Sequence, residues 1–372
     1  MSRPRRVLLV NDHLGWGNQV HGVTRLFELW ARHLDPARYR ASVCILRHQP
    51  RLAAVLRSAG VPVTFLGRSR YDPSTLWALL RLVRAEGIAL LHVQGYGGTT
   101  FGRLAGRLAG IPVVVHFHDT TPYYPLPQRV ADRLLGRLTA RYLAVSETVQ
   151  AWWSTRCGLN PADVLVLPNC TSLERFRAPS ATEAADARRA LGLESAGPVV
   201  GTVTRLFEEK GTRFLVGAMP AVLAARPDAR FVIVGDGPLR DQLGSLAATL
   251  GVGERVVFTG YRDDVTRSLA AFDLFVLTSH FAEGGVPLPV LEAMAMGKPV
   301  IVTDVVEIVE DGVSGLVVPR RDSSALAEAI LRLLARPEEA SRLGEQGHAV
   351  ARAHDVPAYV EQLQSVYDSV LA

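Results

Sequence analysis

Short apolar runs, each followed by a helix-length amphipathic stretch, recur in two series along this chain and leave it few folds. The first series lies at 7–10, 41–46, 63–66, 90–93, 113–117, 142–145 and 164–167. Runs this short, rich in Val, Leu and Ile and apolar at nearly every position, are the pattern of parallel strands covered on both faces. Stretches such as 22–34 and 75–86 carry the helical period between them. Together they predict a doubly wound α/β domain. A polar, Ala-rich segment at 178–194 breaks the pattern, and a second series follows at 199–203, 230–234, 256–258, 274–277, 299–302 and 315–318. Helical stretches at 211–225, 239–250 and 289–296 sit among these runs. The expected architecture is two Rossmann-like domains in tandem, 1–180 and 181–354. A last helix, 355–372, is expected to pack back toward the first domain. A chain of 372 residues also exceeds what one typical core holds. Open sheets of this class take ligands beyond the carboxyl ends of their strands, here expected to face an inter-domain cleft.

Composition narrows the class further. With 48% hydrophobic and 21% charged residues, the chain reads as globular rather than disordered. No apolar run is long enough to span a bilayer. The start is basic and then apolar, but the apolar part stops at Val10 and Asn11-Asp12-His13 follows. That is a first buried strand rather than a signal peptide, and a cytoplasmic protein is expected. Cys44, Cys157 and Cys170 match no metal-binding spacing. Charge is uneven: residues 1–170 carry 21 Arg and 9 Asp+Glu, and the remainder carries 20 Lys+Arg and 27 Asp+Glu. The basic half is expected to meet something anionic, such as a membrane surface or a phosphate-bearing acceptor. Arginine-rich solvated helices are the plainer explanation. Nucleic acid is set aside, because no recognition module accompanies the charge.

The chemistry-bearing residues fall just after predicted strands. Of 41 basic residues only Lys210 and Lys298 are lysines. Lys210 follows Arg205 by five positions in Thr204-Arg-Leu-Phe-Glu-Glu-Lys-Gly211, at a strand-to-helix turn. A planar fork and a compact point charge suit two neighbouring phosphates. Two solvated surface cations would read the same way locally. Gly15-Trp16-Gly17 and His21-Gly22-Val23 follow the first strand, where small residues let backbone N–H groups approach an anion or simply make a turn. His118, beside Asp119, ends the 113–117 run, as a polar group at the cleft or a structural one. Gly235-Asp236-Gly237-Pro238 is a tight turn before a helix. The segment from Phe281 to Pro299 is the richest. Glu283 sits in a glycine loop, Gly284, Gly285 and Val286 offer backbone N–H groups, Pro289 suits a first helical turn, and Glu292 lies early in that helix. Two carboxylates flanking such a loop match hydroxyl groups at both ends of a sugar nucleotide. A helix N-terminus with favourable acidic residues accounts for Glu292 alone.

Taken together, these motifs resemble a retaining glycosyltransferase of the GT-B fold, family 4. The resemblance is carried by residues 204–211, by Val234-Gly-Asp-Gly-Pro-Leu239, by Phe258-Thr-Gly-Tyr261, by the Glu283 to Glu292 segment and by 310–319. Looser matches lie at 22–29, 144–147 and 166–176. The resemblance implies that Arg205 and Lys210 bind the donor diphosphate and stabilise the leaving nucleotide. It places Glu292 on the ribose hydroxyls, and Glu283 with Gly284, Gly285, Val286 and Pro287 on the transferred sugar. Gly260, Tyr261 and Arg262 would lie near the base and Gly235 beside the donor. Gly22 would face the diphosphate from the first domain, and His118 would sit near the reacting centre. No covalent nucleophile, metal or cofactor is implied, and the chain has no Asp-x-Asp pattern. The nucleotide-diphosphate sugar is a co-substrate, and the acceptor is a sugar, polysaccharide, small molecule or lipid-linked sugar.

Two departures from the family pattern stand out. Glu283 and Glu292 are separated by one residue more than usual, enough to turn a helix by about a quarter turn unless a loop absorbs it. The loop after Asp304 is short and lacks the usual glycine pair. That loop keeps a second expectation open: a degenerate relative that binds a nucleotide sugar or a partner protein without catalysis. A sugar-nucleotide epimerase of the same fold is the other enzyme reading.

Overall fold

The computed structural model describes residues 3–120, 124–193, 197–281 and 284–372. It divides into two compact units: 1–170 with 356–372, and 171–355.

In the first unit, strands β1 (Arg5–Asn11), β4 (Tyr39–Ile45), β5 (Val63–Phe65), β6 (Ile88–Val93), β7 (Val113–Phe117), β8 (Arg141–Ala144) and β9 (Val164–Val166) form one sheet. Its order is β5-β4-β1-β6-β7-β8-β9, and every pairing is parallel. A small antiparallel hairpin, β2 (Gly15–Trp16) and β3 (Gln19–Val20), stands apart. Helices α1 (Gly22–His33) and α2 (Ala54–Ser58) pack together, as do α1 and α14 (Val356–Leu371). Helices α3 (Ser74–Glu86), α4 (Tyr96–Ala109), α5 (Leu126–Leu135) and α6 (Glu147–Cys157) pack in succession, each on the next. Val7, Leu9, Val10, Leu91, Val114 and Val115 are fully or almost fully buried, which is why these runs show no alternation. Helices α3, α4 and α6 each end on a glycine in the left-handed region (Gly87, Gly110 and Gly158), where a side chain would be strained.

The second unit holds β10 (Val199–Val203), β11 (Arg230–Val234), β12 (Val256–Gly260), β13 (Leu274–Leu277), β14 (Val300–Thr303) and β15 (Leu316–Val318). The order is β12-β11-β10-β13-β14-β15, again all parallel. Its helices are α7 (Ala181–Arg189), α8 (Thr212–Ala225), α9 (Arg240–Thr249), α10 (Thr266–Ala270), α11 (Leu288–Ala295), α12 (Ser323–Ala335) and α13 (Pro337–Arg352). Each sheet has the doubly wound character expected from the apolar runs.

Three details differ from the sequence expectation. The units divide at Cys170/Thr171 rather than at residue 180. Thr171 donates its N–H to His354 O (3.0 Å), Leu173 donates to the Asp355 carboxylate (3.1 Å), and Phe176 belongs to the second unit's core. The Ala-rich segment is not a break. It forms α7, opened by a capping box between Ser180 and Glu183 and held through buried Ala187. The Gly15–Gly17 turn is the β2–β3 hairpin, with a Cβ at Gly15 barred by Gln19 O at 1.8 Å. Among the described residues no helix is long and apolar enough to cross a membrane.

Candidate functional site

The loop after β10 delivers Arg205, and its shape is set by the loop after β11. Thr204 N–H donates to Val234 O (2.9 Å) and Leu206 N–H to Asp236 O (2.9 Å). A Cβ at Gly235 would stand 1.8 Å from Thr204 O, and one at Gly237 2.4 Å from Leu206 O. These glycines are therefore required for backbone-to-backbone packing beside Arg205. Gly235 N–H also donates to Gly260 O (2.9 Å), tying in the turn that leads to Tyr261 and Arg262. Tyr261 hydroxyl bonds Asp263 (3.1 Å), and Arg262 is exposed. Arg205 itself is about one-third exposed, lies 3.6 Å from the Glu209 carboxylate and covers the Phe207 ring.

Lys210 closes a single 3-10 turn, Glu208–Lys210, and is half-buried. The turn is docked on the end of β13: Thr278 Oγ1 donates to Lys210 O (3.1 Å) and His280 N–H to Glu209 O (3.0 Å). Gly211 follows in the left-handed region, where a Cβ would meet Thr278 O at 2.2 Å. Helix α8 begins there with no side-chain cap. His280 was not assigned a role from sequence. It is buried, its Nδ1 has no hydrogen-bond partner, and burial lowers its pKa, with Arg321 adding to the effect.

From His280 the chain runs into the glycine loop. Glu283 lies outside the described residues. Gly284 and Gly285 are both left-handed (φ 73° and 77°), and Val286 N–H donates to Gly284 O (2.9 Å). Pro287 precedes α11, which also starts without a side-chain cap, and Glu292 is half-buried one turn in. The two departures from the family pattern touch here. Gly285 O accepts from Glu307 N–H (2.9 Å) and Ile308 N–H (3.3 Å), while Val305, Val306 and Val309 are buried in the same core as Val286. The short turn after Asp304 thus folds directly onto Gly285.

The other lysine has a different task. Lys298 donates to Phe272 O (2.8 Å) and Ala270 O (3.3 Å), closing the carbonyl end of α10, and burial pulls its pKa down to about 8.

The first unit gathers histidines at its strand ends. His118, just past β7, is partly exposed, yet its Nε2 is shut off from solvent with no hydrogen-bond partner. Its ring lies 4.2 Å from that of His116, which in turn stacks 5.3 Å from His92. His92 Nδ1 shares a 2.7 Å hydrogen bond with Tyr367 hydroxyl on α14. Trp30 of α1 stacks on His92, His116 and Tyr359. Burial holds His92 and His118 near pKa 3 and puts His116 well below its ordinary value, so all three are neutral near pH 7. Asp12, at the end of β1, accepts from Gly97 N–H (3.1 Å) and Gly98 N–H (2.8 Å) and so fills the N-terminus of α4. Burial raises its pKa. Gly22 is the exposed first residue of α1. No sequence motif marks the Trp30–His92–His116 stack, whose members sit on three elements.

Two family descriptions match the chain: Glycosyltransferase Family 4 over residues 20–175 and Glycosyl transferases group 1 over residues 197–336. The chain belongs to the family 4 glycosyltransferases. This glycosyltransferase is 30% identical over 319 residues to the alpha-D-kanosaminyltransferase of Streptomyces kanamyceticus, covering 80% of this chain and 82% of the relative. It is 28% identical to the Escherichia coli UDP-Gal:alpha-D-GlcNAc-diphosphoundecaprenol alpha-1,3-galactosyltransferase, over 70% of each chain. Among solved structures, the Anabaena HepE protein in complex with UDP superposes with a TM-score of 0.85 at 23% identity, covering 98% of this chain and 100% of HepE. The glycosyltransferase therefore has the GT-B fold. In its second unit Arg205, Lys210, Gly235, Gly260, the 284–287 loop and α11 all lie at the carboxyl ends of one sheet.

Proposed function

We propose that this glycosyltransferase transfers a sugar from a nucleotide-diphosphate sugar with retention of anomeric configuration and without a metal ion. Arg205 and Lys210 neutralise the diphosphate and stabilise the leaving nucleotide. Glu292 accepts from the ribose hydroxyls, Glu283 and the backbone of Gly284, Gly285, Val286 and Pro287 hold the transferred sugar, and Gly235, Tyr261 and Arg262 line the base side. Gly22 faces the diphosphate, and His118 meets the sugar near the reacting carbon. In a front-face reaction the bond between the sugar's anomeric carbon and the phosphate oxygen breaks. The acceptor oxygen bonds that carbon on the same face, and its proton passes to the leaving phosphate. A neutral His118 can accept or donate a hydrogen bond but supplies no fixed charge, so the cationic work falls to Arg205 and Lys210.

The observation that carries this reading is the tethering of the Lys210 turn to the end of β13 through Thr278 and His280. It ties the Lys210 turn to the strand end that leads on to Gly284, Gly285 and the uncapped start of α11, which supports a reading of these residues as one diphosphate-sugar site. The alternative of a degenerate relative loses its motive, because the short 304–307 turn is closed by Gly285 rather than left incomplete. The acceptor we propose is a sugar on a lipid carrier, in line with the basic first unit and the diphosphoundecaprenol-linked acceptor of the E. coli relative.

Calorimetric titration with UDP, GDP and ADP tests the donor site. One nucleotide is expected to bind, with binding lost in Lys210→Ala. Equal binding by that variant would overturn the assignment.

A further inference from the structure

Helix α5 is built inside out. Its inward side is polar: Asp132 is buried in an ion pair with Arg103 and accepts from Tyr124 hydroxyl (2.6 Å) and Gln128 Nε2 (3.0 Å). Gln128 also donates to Thr100 Oγ1 on α4 (3.2 Å). Its outward side is apolar: Leu126, Val130 and Leu134, four residues apart, are 67%, 47% and 73% exposed. Four-residue spacing puts them in one stripe. A surface helix in water shows the opposite arrangement. On α4, Leu108 is a further exposed leucine, 49% exposed.

Arginine borders this stripe. Arg129 and Arg133 follow Leu126 and Val130 by three residues each and run along one edge of it. Arg137 and Arg141 follow, Arg107 stands beside Leu108 on α4, and all five are exposed. The one acidic residue between 126 and 141 is Asp132, already buried against Arg103.

We propose that the outer face of α5 docks this enzyme on an anionic lipid bilayer, with Leu126, Val130 and Leu134 entering the acyl boundary and the arginines meeting the headgroups. A second copy of the chain fits this face less well, because a two-fold contact would set arginine rims against each other with no exposed carboxylate on α5 to answer them. Nucleic acid would satisfy the arginines but not the aliphatic stripe. The docking does not depend on the donor-site reading. It deepens only the lipid-carrier part, by presenting the first unit to a membrane-borne acceptor.

Co-sedimentation of the full chain with vesicles tests this, using phosphatidylcholine alone and phosphatidylcholine mixed with phosphatidylglycerol. Binding is expected to the mixed vesicles only, and to weaken as salt rises. Arg129→Gln with Arg133→Gln is expected to lower the partition coefficient about thirtyfold, from roughly a fivefold contribution per arginine. Leu126→Ser with Leu134→Ser is expected to lower it tenfold or more. Nucleotide affinity, measured on the same samples, is expected to stay at the wild-type value and shows that each variant is folded. Failure of the wild type to bind mixed vesicles overturns the proposal, as does undiminished binding by both variants. A concentration-dependent dimer that the leucine variant abolishes assigns the face to a second copy instead. Vesicle binding without any nucleotide binding would leave the docking standing and remove the donor reading.

Discussion

The helix N-termini that follow β6 and β8 in the first unit and β10 and β13 in the second are built in opposite ways. In the first, the helix N-termini that follow β6 and β8 are filled by the protein's own side chains, α4 by Asp12 and α6 by Ser146. Behind them lies a stack of neutral, buried histidines. In the second, α8 and α11 begin at Gly211 and Pro287, residues that have no capping side chain to give, with Arg205 and Lys210 alongside. One architecture thus supports two electrostatic designs. At these four helix ends the first unit satisfies backbone donors with its own side chains, while the second leaves α8 and α11 without a side-chain cap beside Arg205 and Lys210.

The comparison breaks most directly at Lys210. Lys210→Ala is expected to lower kcat/KM about a hundredfold to a thousandfold, roughly 3–4 kcal/mol, with the thermal midpoint unchanged. Steady-state kinetics beside a melting curve checks both halves. An unchanged rate would remove the cationic design from the second unit.

The next contrast separates glycines that make room from glycines that merely turn. Gly235→Ala forces a Cβ against Thr204 O and is expected to cost about 3 kcal/mol and to weaken nucleotide binding by displacing Arg205. Gly110→Ala, left-handed with nothing within 4 Å, is expected to cost about 1 kcal/mol and leave binding alone. Denaturant unfolding and calorimetry on both variants would show whether the two losses differ as described.

Neutral burial of histidine carries a pH signature in the first unit. His92 has a folded pKa near 3 against an unfolded value near 6.5. Between those values the unfolded chain binds the extra proton, so stability is full above about pH 6.5 and falls as pH drops toward 3. From pH 7 to pH 5 the loss is about 2 kcal/mol for this one group, and His116 and His118 shift in the same direction. All five tryptophans lie in residues 1–170, so their fluorescence follows the first unit. His92→Phe is expected to flatten the pH dependence of denaturant unfolding by that amount. A slope equal to wild type would mean that His92 is charged or solvated in the folded protein.

How far the sequence could be read follows the same division. The residues of the second unit's candidate site stood out in sequence because Arg205, Lys210, Gly235, the 284–287 loop and Glu292 each follow a strand in contiguous motifs, and backbone packing requires Gly235. The strands themselves were legible because burial on both faces makes each one a continuous apolar run. The Trp30–His92–His116 stack was not legible, since its residues come from α1, β6 and β7 and meet only through packing. Nor was α5 visible as an inverted helix. Its apolar stripe reads in sequence like any core-facing one, and only the Asp132–Arg103 pair reveals which side is inward. The contact between Gly285 and the short turn after Asp304 joins two irregularities that were separate in sequence.

The smallest effect concerns the filled helix ends. Ser146 Oγ accepts from Val149 N–H (3.2 Å) at the start of α6, where the chain leaves β8. Ser146→Ala removes that acceptor and is expected to cost about 1 kcal/mol, read by tryptophan fluorescence during urea unfolding. Because this helix end is closed by its own side chain in the folded protein, nucleotide affinity is expected to stay at the wild-type value. Were Ser146→Ala to weaken nucleotide binding as much as it lowers stability, α6 would belong with the helix ends proposed for the donor, and the contrast between side-chain-filled and uncapped helix ends would fail at that point.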